Sequence, residues 1–199
     1  MPAVGALDLN HLVPGRDCGT CDRCCIWLTI DDAELRKVQG HRCGNLQADS
    51  SCAIYATRPR TCREFHCGFR RLDWVRDTLR PDLSSVLIGL QYDGPPTDPN
   101  RRLGVSFSLL SDAALEAEGL AETVAAAVAA GMPVWLHVPG PPGYTAASAR
   151  IDTVMSEPVR TGDFATILHI LRLGRAQAQE GAFEPVVLAG AWPEAERRP

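Results

Sequence analysis

Two stretches in the middle of the chain alternate apolar and polar side chains, which is the period-two pattern of a half-buried β-strand. They cover residues 85–92 and 103–109, and the turn-rich segment DGPPTDPNRR separates them. This order predicts an antiparallel hairpin, because proline, glycine, asparagine and aspartate favour chain reversal. The predicted inward positions are Val86, Ile88, Leu90 and Tyr92 in the first strand and Leu103, Val105, Phe107 and Leu109 in the second.

A helix is predicted at residues 113–130, which are rich in alanine and glutamate. Ser111 or Asp112 is the expected cap, and the Gly131–Pro133 segment ends the helix. Gly119 lies inside this stretch and is expected to weaken or split the helix, because glycine is a poor helix former.

The rest of the C-terminal part adds two strands and a second helix. Strands are predicted at residues 134–138 and 150–155, and a helix at residues 163–179, where apolar residues recur at helical spacing. The order β-β-α-β-β-α predicts an α+β fold, with helices on one face of a mostly antiparallel sheet. The tail that contains Trp192 and Pro193 is expected to be irregular.

The N-terminal part is expected to be loop-rich. Residues 18–25 are dense in cysteine and glycine and are predicted to form metal-binding turns rather than regular structure. A short helix is predicted at residues 31–38, because two acids begin it, Arg36 and Lys37 lie near its end and glycine follows. A helix start or a turn is expected within residues 55–65.

These patterns divide the chain into two predicted parts. Residues 1–80 form a loop-rich, cysteine-rich metal-binding module, and residues 81–199 form an α+β layer of unassigned function, with one continuous domain as the alternative. The net charge of −4 does not indicate nucleic-acid binding. Without an apolar run of transmembrane length or a secretory signal, we expect a cytoplasmic protein that does not bind membranes.

All eight cysteines lie between residues 18 and 67, in the order C-x2-C-x2-CC and then C-x8-C-x9-C-x4-C. In a reducing compartment this concentration indicates metal ligation, with disulfides and free thiols as the alternatives. Thiolates bind zinc, iron–sulfur clusters and copper(I). The predicted ligands are Cys18, Cys21, Cys24, Cys25, Cys43, Cys52, Cys62 and Cys67.

The adjacent pair Cys24–Cys25 complicates a single site, because neighbouring side chains leave the backbone in different directions. Either the two residues serve different sites, or one of them is not a ligand. The chain therefore carries two four-sulfur sites or one four-cysteine cluster with structural or sensing cysteines beside it. The compact loop Cys18, Cys21 and Cys24 slightly favours an iron–sulfur cluster of the [4Fe–4S] type, and Zn²⁺ is the alternative.

Arginines surround the last cysteines and are candidates for holding the cofactor. Arg58, Arg60 and Arg63 could donate hydrogen bonds to the sulfurs of a negatively charged centre and offset its charge. A solvated basic face and a site for an anionic partner are the alternatives. His41 and His66 each lie near a cysteine, but with so many thiols they are expected to have other roles.

The sequence runs CGTCDRCC and CGNLQADSSCAIYATRPRTCREFHC resemble the YkgJ-type CxxCxxCC family of zinc- or iron-chelating proteins. The resemblance covers about residues 16–72 and includes Leu46, Ile54-Tyr55 and Arg58-Pro59 as well as the cysteines. It implies metal binding at all eight cysteines. Some proteins with this cysteine pattern are N-methylases of flagellin lysines, which implies that the wider group includes enzymes.

We therefore expect a metal-binding protein whose cysteine-ligated centre has a structural, redox or sensing role. One alternative is a metal-dependent or iron–sulfur enzyme, either methyltransferase-like or redox. Another is a zinc-stabilised adaptor or chaperone with a protein partner that the sequence does not identify. Catalytic residues are not predicted, because the chain has no phosphate loop, dinucleotide fingerprint, HExxH or GxSxG motif.

Overall fold

The computed structural model describes residues 11–189. Within them two strands form a small hairpin and four form a larger sheet. The strands are β1 (Ile30–Asp31), β2 (Arg36–Lys37), β3 (Val86–Tyr92), β4 (Leu103–Leu109), β5 (Val134–Val138) and β6 (Ala147–Arg150). The α-helices are α1 (Arg23–Trp27), α2 (Arg60–Glu64), α3 (Gly68–Arg71), α4 (Pro81–Ser84), α5 (Leu120–Ala129), α6 (Asp152–Thr161) and α7 (Phe164–Glu180).

The predicted central hairpin is confirmed. Strands β3 and β4 pair antiparallel from Val86 opposite Leu109 to Tyr92 opposite Leu103. Val86, Val105 and Leu109 are completely buried, as the alternation of apolar and polar residues predicts. Tyr92, next to the loop that connects the two strands, is exposed instead and stacks under the Arg101 guanidinium at 4.0 Å.

The larger sheet has the order β3-β4-β5-β6 and mixed direction. Strand β5 pairs with β4 in parallel, and the outer pairs β3–β4 and β5–β6 are antiparallel. The parallel pair follows from the α5 connection. A helix between two neighbouring strands carries the chain back to the end of the sheet at which the first strand began, so the second strand runs in the same direction. The predicted α+β class and the mostly antiparallel sheet are thus confirmed.

Helices α5 and α7 pack on one face of this sheet and on each other, and α6 packs against both helices. Gly174 lets α7 approach closely, since an added Cβ would lie 2.7 Å from Leu136 Cδ2. Phe107 and Val134 are completely buried on this side. On the opposite face β5 carries the half-buried Trp135 and His137, and burial lowers the pKa of His137.

The helix predicted at residues 31–38 is wrong, because this stretch forms the β1–β2 hairpin, with Ile30 opposite Lys37. The Asp32 carboxylate accepts a hydrogen bond from the Glu34 N–H at 2.9 Å, which stabilises a turn in place of the first helical turn. Lys37 is only 2 % exposed, whereas a basic residue in the last turn of a surface helix would reach solvent.

Two further boundaries differ from the prediction. Residues 18–25 were expected to lack regular structure, but α1 begins at Arg23. The predicted strand 150–155 is also wrong beyond its first residue, because the chain enters α6 at Asp152. The Asp152 carboxylate accepts hydrogen bonds from the Arg150 side chain and the Val134 N–H, which favours a turn at this point.

The remaining helix predictions are confirmed. The predicted helix 113–130 is split at Gly119, which has φ +86°, into a 3-10 helix (Asp112–Glu116) and α5. Helix α7 begins after Asp163, whose carboxylate caps the Thr166 N–H at 3.0 Å. The predicted irregular tail with Trp192 and Pro193, like residues 1–10 of the N-terminal lead-in, lies outside the described residues.

The cysteine-rich part is joined to the sheet through residues 68–79. Leu72, Val75 and Leu79 belong to the same buried cluster as the sheet residues. Arg16 fastens the preceding chain to this segment, because its guanidinium donates to the carbonyls of Phe69, Leu72 and Val75. Within residues 11–189 no helix has both the length and the apolar character needed to cross a bilayer.

A buried arginine ties α7 to the end of β4. Arg175 is 8 % exposed and donates to the Leu109 carbonyl at 2.6 Å and to Asp112 Oδ1 at 2.8 Å. We expect Arg175→Met to lower the free energy of unfolding by about 1–3 kcal/mol, because the buried carbonyl loses its donor. Urea unfolding would measure the change.

Arg172→Met is the matched control for this substitution. Arg172 lies on the same helix, and its ion pair with Glu116 at 3.2 Å is solvent-exposed. Its replacement should cost less than about 1 kcal/mol. Equal losses in the two variants would contradict a specific role for the buried hydrogen bonds of Arg175.

Candidate metal centre

Residues 18–67, here called the cysteine segment, bring the eight cysteines together through short turns and helices. Cys18 and Cys21 share a turn in which the Cys21 N–H donates to the Cys18 carbonyl at 2.8 Å. Cys24 and Cys25 lie on α1, and Cys62 lies on α2. The N–H of Cys43 donates to the Cys25 carbonyl at 3.0 Å, Cys52 pairs with Leu46 in an isolated bridge, and Cys67 immediately precedes α3.

Four of the thiols form a first group: Cys18, Cys21, Cys24 and Cys67. Burial raises the pKa of Cys21 to about 11, and the nearby Asp82 and Cys67 raise it as well. Burial also raises the pKa of Cys67, to which Cys18 contributes. A hydrogen bond with Cys25, then burial and the neighbouring Cys18 and Cys21, raise the pKa of Cys24. The four line one small cavity of about 30 Å³.

The other four thiols form a second group: Cys25, Cys43, Cys52 and Cys62. Burial and then Cys25, Cys43 and Cys52 raise the pKa of Cys62. Burial, Cys25 and Cys52 likewise raise the pKa of Cys43. The two groups meet at the Cys24–Cys25 hydrogen bond, which lowers the pKa of Cys25 to about 7 against the opposing effect of burial.

The thiols lie near one another, but they do not form a ready-made site for a single metal ion. All eight are free cysteines, so no disulfide joins them. Among residues 11–189, no three Cys, His, Asp or Glu side chains are arranged so that they could hold a metal ion. The donors nevertheless fit a metal centre in type and number, because soft thiols in sets of four are ligands for zinc and for iron–sulfur clusters.

A buried lysine, Lys37, lies beside the second group of thiols. The Lys37 ammonium donates to the carbonyls of Ile26, at 3.0 Å, and of Leu28. Burial lowers the pKa of Lys37 to about 8. The nearby Cys43 and Cys25 act in the opposite direction and raise it. Lys37 therefore fixes the chain that leaves α1 and brings a potential positive charge close to these thiols.

The three arginines predicted to bind the cofactor occupy different positions. Arg58 lies near the second group, where it lowers the pKa values of Cys25 and Cys62. Its guanidinium stacks over the Tyr55 ring at 4.0 Å. Arg60 is exposed and pairs with Glu64 at 2.6 Å. The Arg63 guanidinium donates to the Arg58 carbonyl at 2.5 Å.

The first group has a different arginine beside it. Arg70 Nη1 lies 4.0 Å from Cys18 Sγ and 3.0 Å from His66 Nδ1. Burial lowers the pKa of His66, and so do Arg70, Arg71 and Arg58. His66 thus contacts an arginine in this structure. His41 lies at the end of the β1–β2 hairpin, where its N–H donates to the Val38 carbonyl at 3.3 Å.

Three neighbours of the cysteines were not predicted from the sequence: Lys37, Arg80 and Asp82. Arg80 Nη2 donates to Thr20 Oγ1 at 3.1 Å, and its ion pair with Asp82 at 2.7 Å lies beside Cys21. Neither residue lies near a cysteine in the sequence. The sequence does distinguish Lys37 in one respect, because it is the single lysine among twenty basic residues.

A larger cavity of about 310 Å³ adjoins both groups and is lined by every cysteine except Cys67. Its remaining wall is largely apolar and includes Leu28, Ile30, Leu35, Ile54, Tyr55 and Phe65. Arg58, His66 and Arg70 also line it. Thiols, cationic side chains and an apolar surface therefore meet in one space.

Comparisons of the chain with family models, curated proteins and solved structures show no match.

Proposed function

We propose that the protein is a metal-binding protein with two cysteine-ligated centres. Cys18, Cys21, Cys24 and Cys67 would hold one centre, and Cys25, Cys43, Cys52 and Cys62 the other. The observation that carries this proposal is that Cys18, Cys21, Cys24 and Cys67 line one small cavity, whereas Cys25, Cys43, Cys52 and Cys62 are electrostatic neighbours of one another. The resemblance of the segment to CxxCxxCC proteins implies metal binding at the same eight cysteines.

The compact spacing of Cys18, Cys21 and Cys24 in the sequence favours iron–sulfur clusters over zinc. One Zn²⁺ at about 2.3 Å from each sulfur requires the four sulfurs to lie about 3.8 Å apart. In a [4Fe–4S] cluster each cysteine binds a different iron, so the sulfurs lie farther apart.

Nearby cations support a redox or sensing role for such clusters. Lys37 and Arg58 lie close to the second group, and Arg70 lies close to the first. Positive charge and hydrogen bonds near the sulfurs stabilise the more reduced, more negative form of a cluster, which raises its reduction potential. The bound cluster would supply one-electron transfer, and these side chains would set the potential at which it occurs.

A second candidate function is an iron–sulfur or metal-dependent enzyme of redox or methyltransferase-like type. The large cavity beside the thiols favours it, because most enzymes bind their substrates in concave, mostly apolar sites. A structural centre in an adaptor or chaperone would not need such a cavity.

Elemental analysis of anaerobically purified protein tests the proposal. We expect iron and acid-labile sulfide for two clusters per chain, with visible charge-transfer absorption. Cys67→Ser and Cys43→Ser should each remove about half of the iron, and the double variant nearly all of it, since each residue belongs to a different group.

The two single variants serve as controls for each other, because each should retain the centre that the other loses. A colourless, metal-free and folded wild-type protein would contradict metal binding. Zinc in place of iron would keep two thiolate centres but overturn the cluster assignment. Complete loss of metal in both single variants would contradict two separate groups.

A further inference from the structure

The cavity beside the cysteines is larger than the thiol groups require. It measures about 310 Å³, which is within the range of small-molecule sites. The part of its wall formed by Ile54, Tyr55, Pro59 and Phe65 carries no thiol and is mostly apolar. A metal centre held by the cysteines would leave this apolar part open to another molecule.

Arg58 presents an unused donor in this region. Its Nε is buried and has no hydrogen-bond partner. The guanidinium is held over the Tyr55 ring at 4.0 Å, and its residue lines the cavity. A buried guanidinium N–H without an acceptor is unfavourable, so the Arg58 guanidinium has donor capacity that the protein does not use.

Two more guanidinium groups contact His66, which lines the same cavity, and Arg70 lines the cavity as well. Arg70 Nη1 contacts His66 Nδ1 at 3.0 Å, and Arg71 Nε donates to the His66 carbonyl at 3.2 Å. Arg71 Nη1 is also buried without a partner. Glu64 pairs with the exposed Arg60. Among residues 11–189, Arg58, Arg70 and Arg71 form no ion pair with a carboxylate, so direct pairing does not compensate the positive charge here.

We propose that the cavity binds a small organic anion. Its carboxylate or phosphate would lie against Arg58 and Arg70, and its apolar body against Tyr55, Ile54 and Phe65. Arginine suits this role, because its planar donors match the oxygens of carboxylates and phosphates. The stacked Tyr55 ring holds the Arg58 guanidinium in place, which lowers the entropic cost of binding.

Calorimetric titration of the protein, as purified without oxygen, tests this site. Three probes are compared. Phenyl phosphate carries both an anionic group and an apolar ring, inorganic phosphate carries only the charge, and benzyl alcohol carries only the apolar ring. Phenyl phosphate should bind at least about tenfold more tightly than either of the other two, because of these three probes it alone meets both parts of the cavity. Benzoate, which also combines an anionic group with an apolar ring, should bind and compete with phenyl phosphate.

Arg58→Gln should weaken phenyl phosphate binding roughly tenfold to a hundredfold, as expected for the loss of a charge-assisted hydrogen bond. Arg58→Lys, which keeps the charge but not the planar donors, should have an intermediate effect and serves if the first variant does not fold. Arg60→Gln is the matched control and should leave binding unchanged, because Arg60 is exposed and paired with Glu64.

Metal analysis of each variant separates this proposal from the metal-binding proposal. Weaker binding with unchanged metal content supports the anion site. If benzyl alcohol binds as tightly as phenyl phosphate, or if phenyl phosphate does not bind, the anion site is wrong. Loss of metal in Arg58→Gln without any phenyl phosphate binding in the wild type would assign Arg58 to the thiol centre instead.

Discussion

Removal of metal from the anaerobically prepared protein should unfold the cysteine segment and leave the four-stranded sheet folded. The segment has little core of its own, since Val38 and Cys43 are its buried apolar residues. Its strands have two residues and its α-helices five, so local structure alone cannot stabilise it. In small domains of this kind metal binding supplies the folding free energy.

Hydrogen exchange would measure this separation. The amides of Cys43 and Ala53, which donate to carbonyls within the segment, should exchange roughly a hundredfold faster or more after chelation. The amide of Val105, which donates to the Pro133 carbonyl in the sheet, should keep its protection.

Chelator treatment with an excess of the identified metal is the control, and it should preserve protection throughout. Protection that persists at Cys43 and Ala53 after the metal has gone would show that the segment folds without it. Loss of protection at Val105 as well would show that the sheet depends on the same centres.

Gly68→Ala should lower the free energy of unfolding by about 1–3 kcal/mol through overpacking. A Cβ at this position would lie 2.4 Å from Ile88 Cγ2 and 2.8 Å from Ile88 Cβ. Ile88 is 1 % exposed in the centre of the core, so it has little room to move. The new methyl group would push α3 away from β3 and displace Cys67, which precedes the helix.

Chemical denaturation and metal content would be measured together for this variant. Gly94→Ala is the matched control, because its added Cβ would meet only the side chains of Asp98 and Arg101, at 3.3 Å or more. We expect Gly68→Ala to weaken metal retention by the first group and Gly94→Ala to leave it unchanged. A Gly68→Ala protein as stable as wild type would contradict the close packing of α3 on β3.

Much of the sheet could be predicted because its elements carry local signals. Val86 to Tyr92 and Leu103 to Leu109 have the alternation of a strand, and the segment between them has turn residues. The split at Gly119 and the cap at Asp163 also follow from single residues whose conformational preferences are strong. These features depend on neighbours in the sequence.

The errors occur where distant contacts decide the structure. Residues 31–38 have the charges of a short helix, but Lys37 is withdrawn from solvent by the carbonyls of Ile26 and Leu28. The parallel pairing of β4 and β5 depends on where the chain returns after α5. The neighbours of each thiol likewise depend on how residues 43–67 fold back over α1. The spacing of the cysteines in the sequence therefore could not show which four thiols belong to each group.

The position of Cys24 and Cys25 on the short helix α1 has a consequence for how the centres would be filled. On the proposed partition, a single peptide unit joins a ligand of one centre to a ligand of the other. Filling one centre would fix the orientation of α1 and thereby reduce the entropy that the second centre has to lose. Loading would then be positively cooperative, and half-filled molecules would be fewer than two independent centres would give.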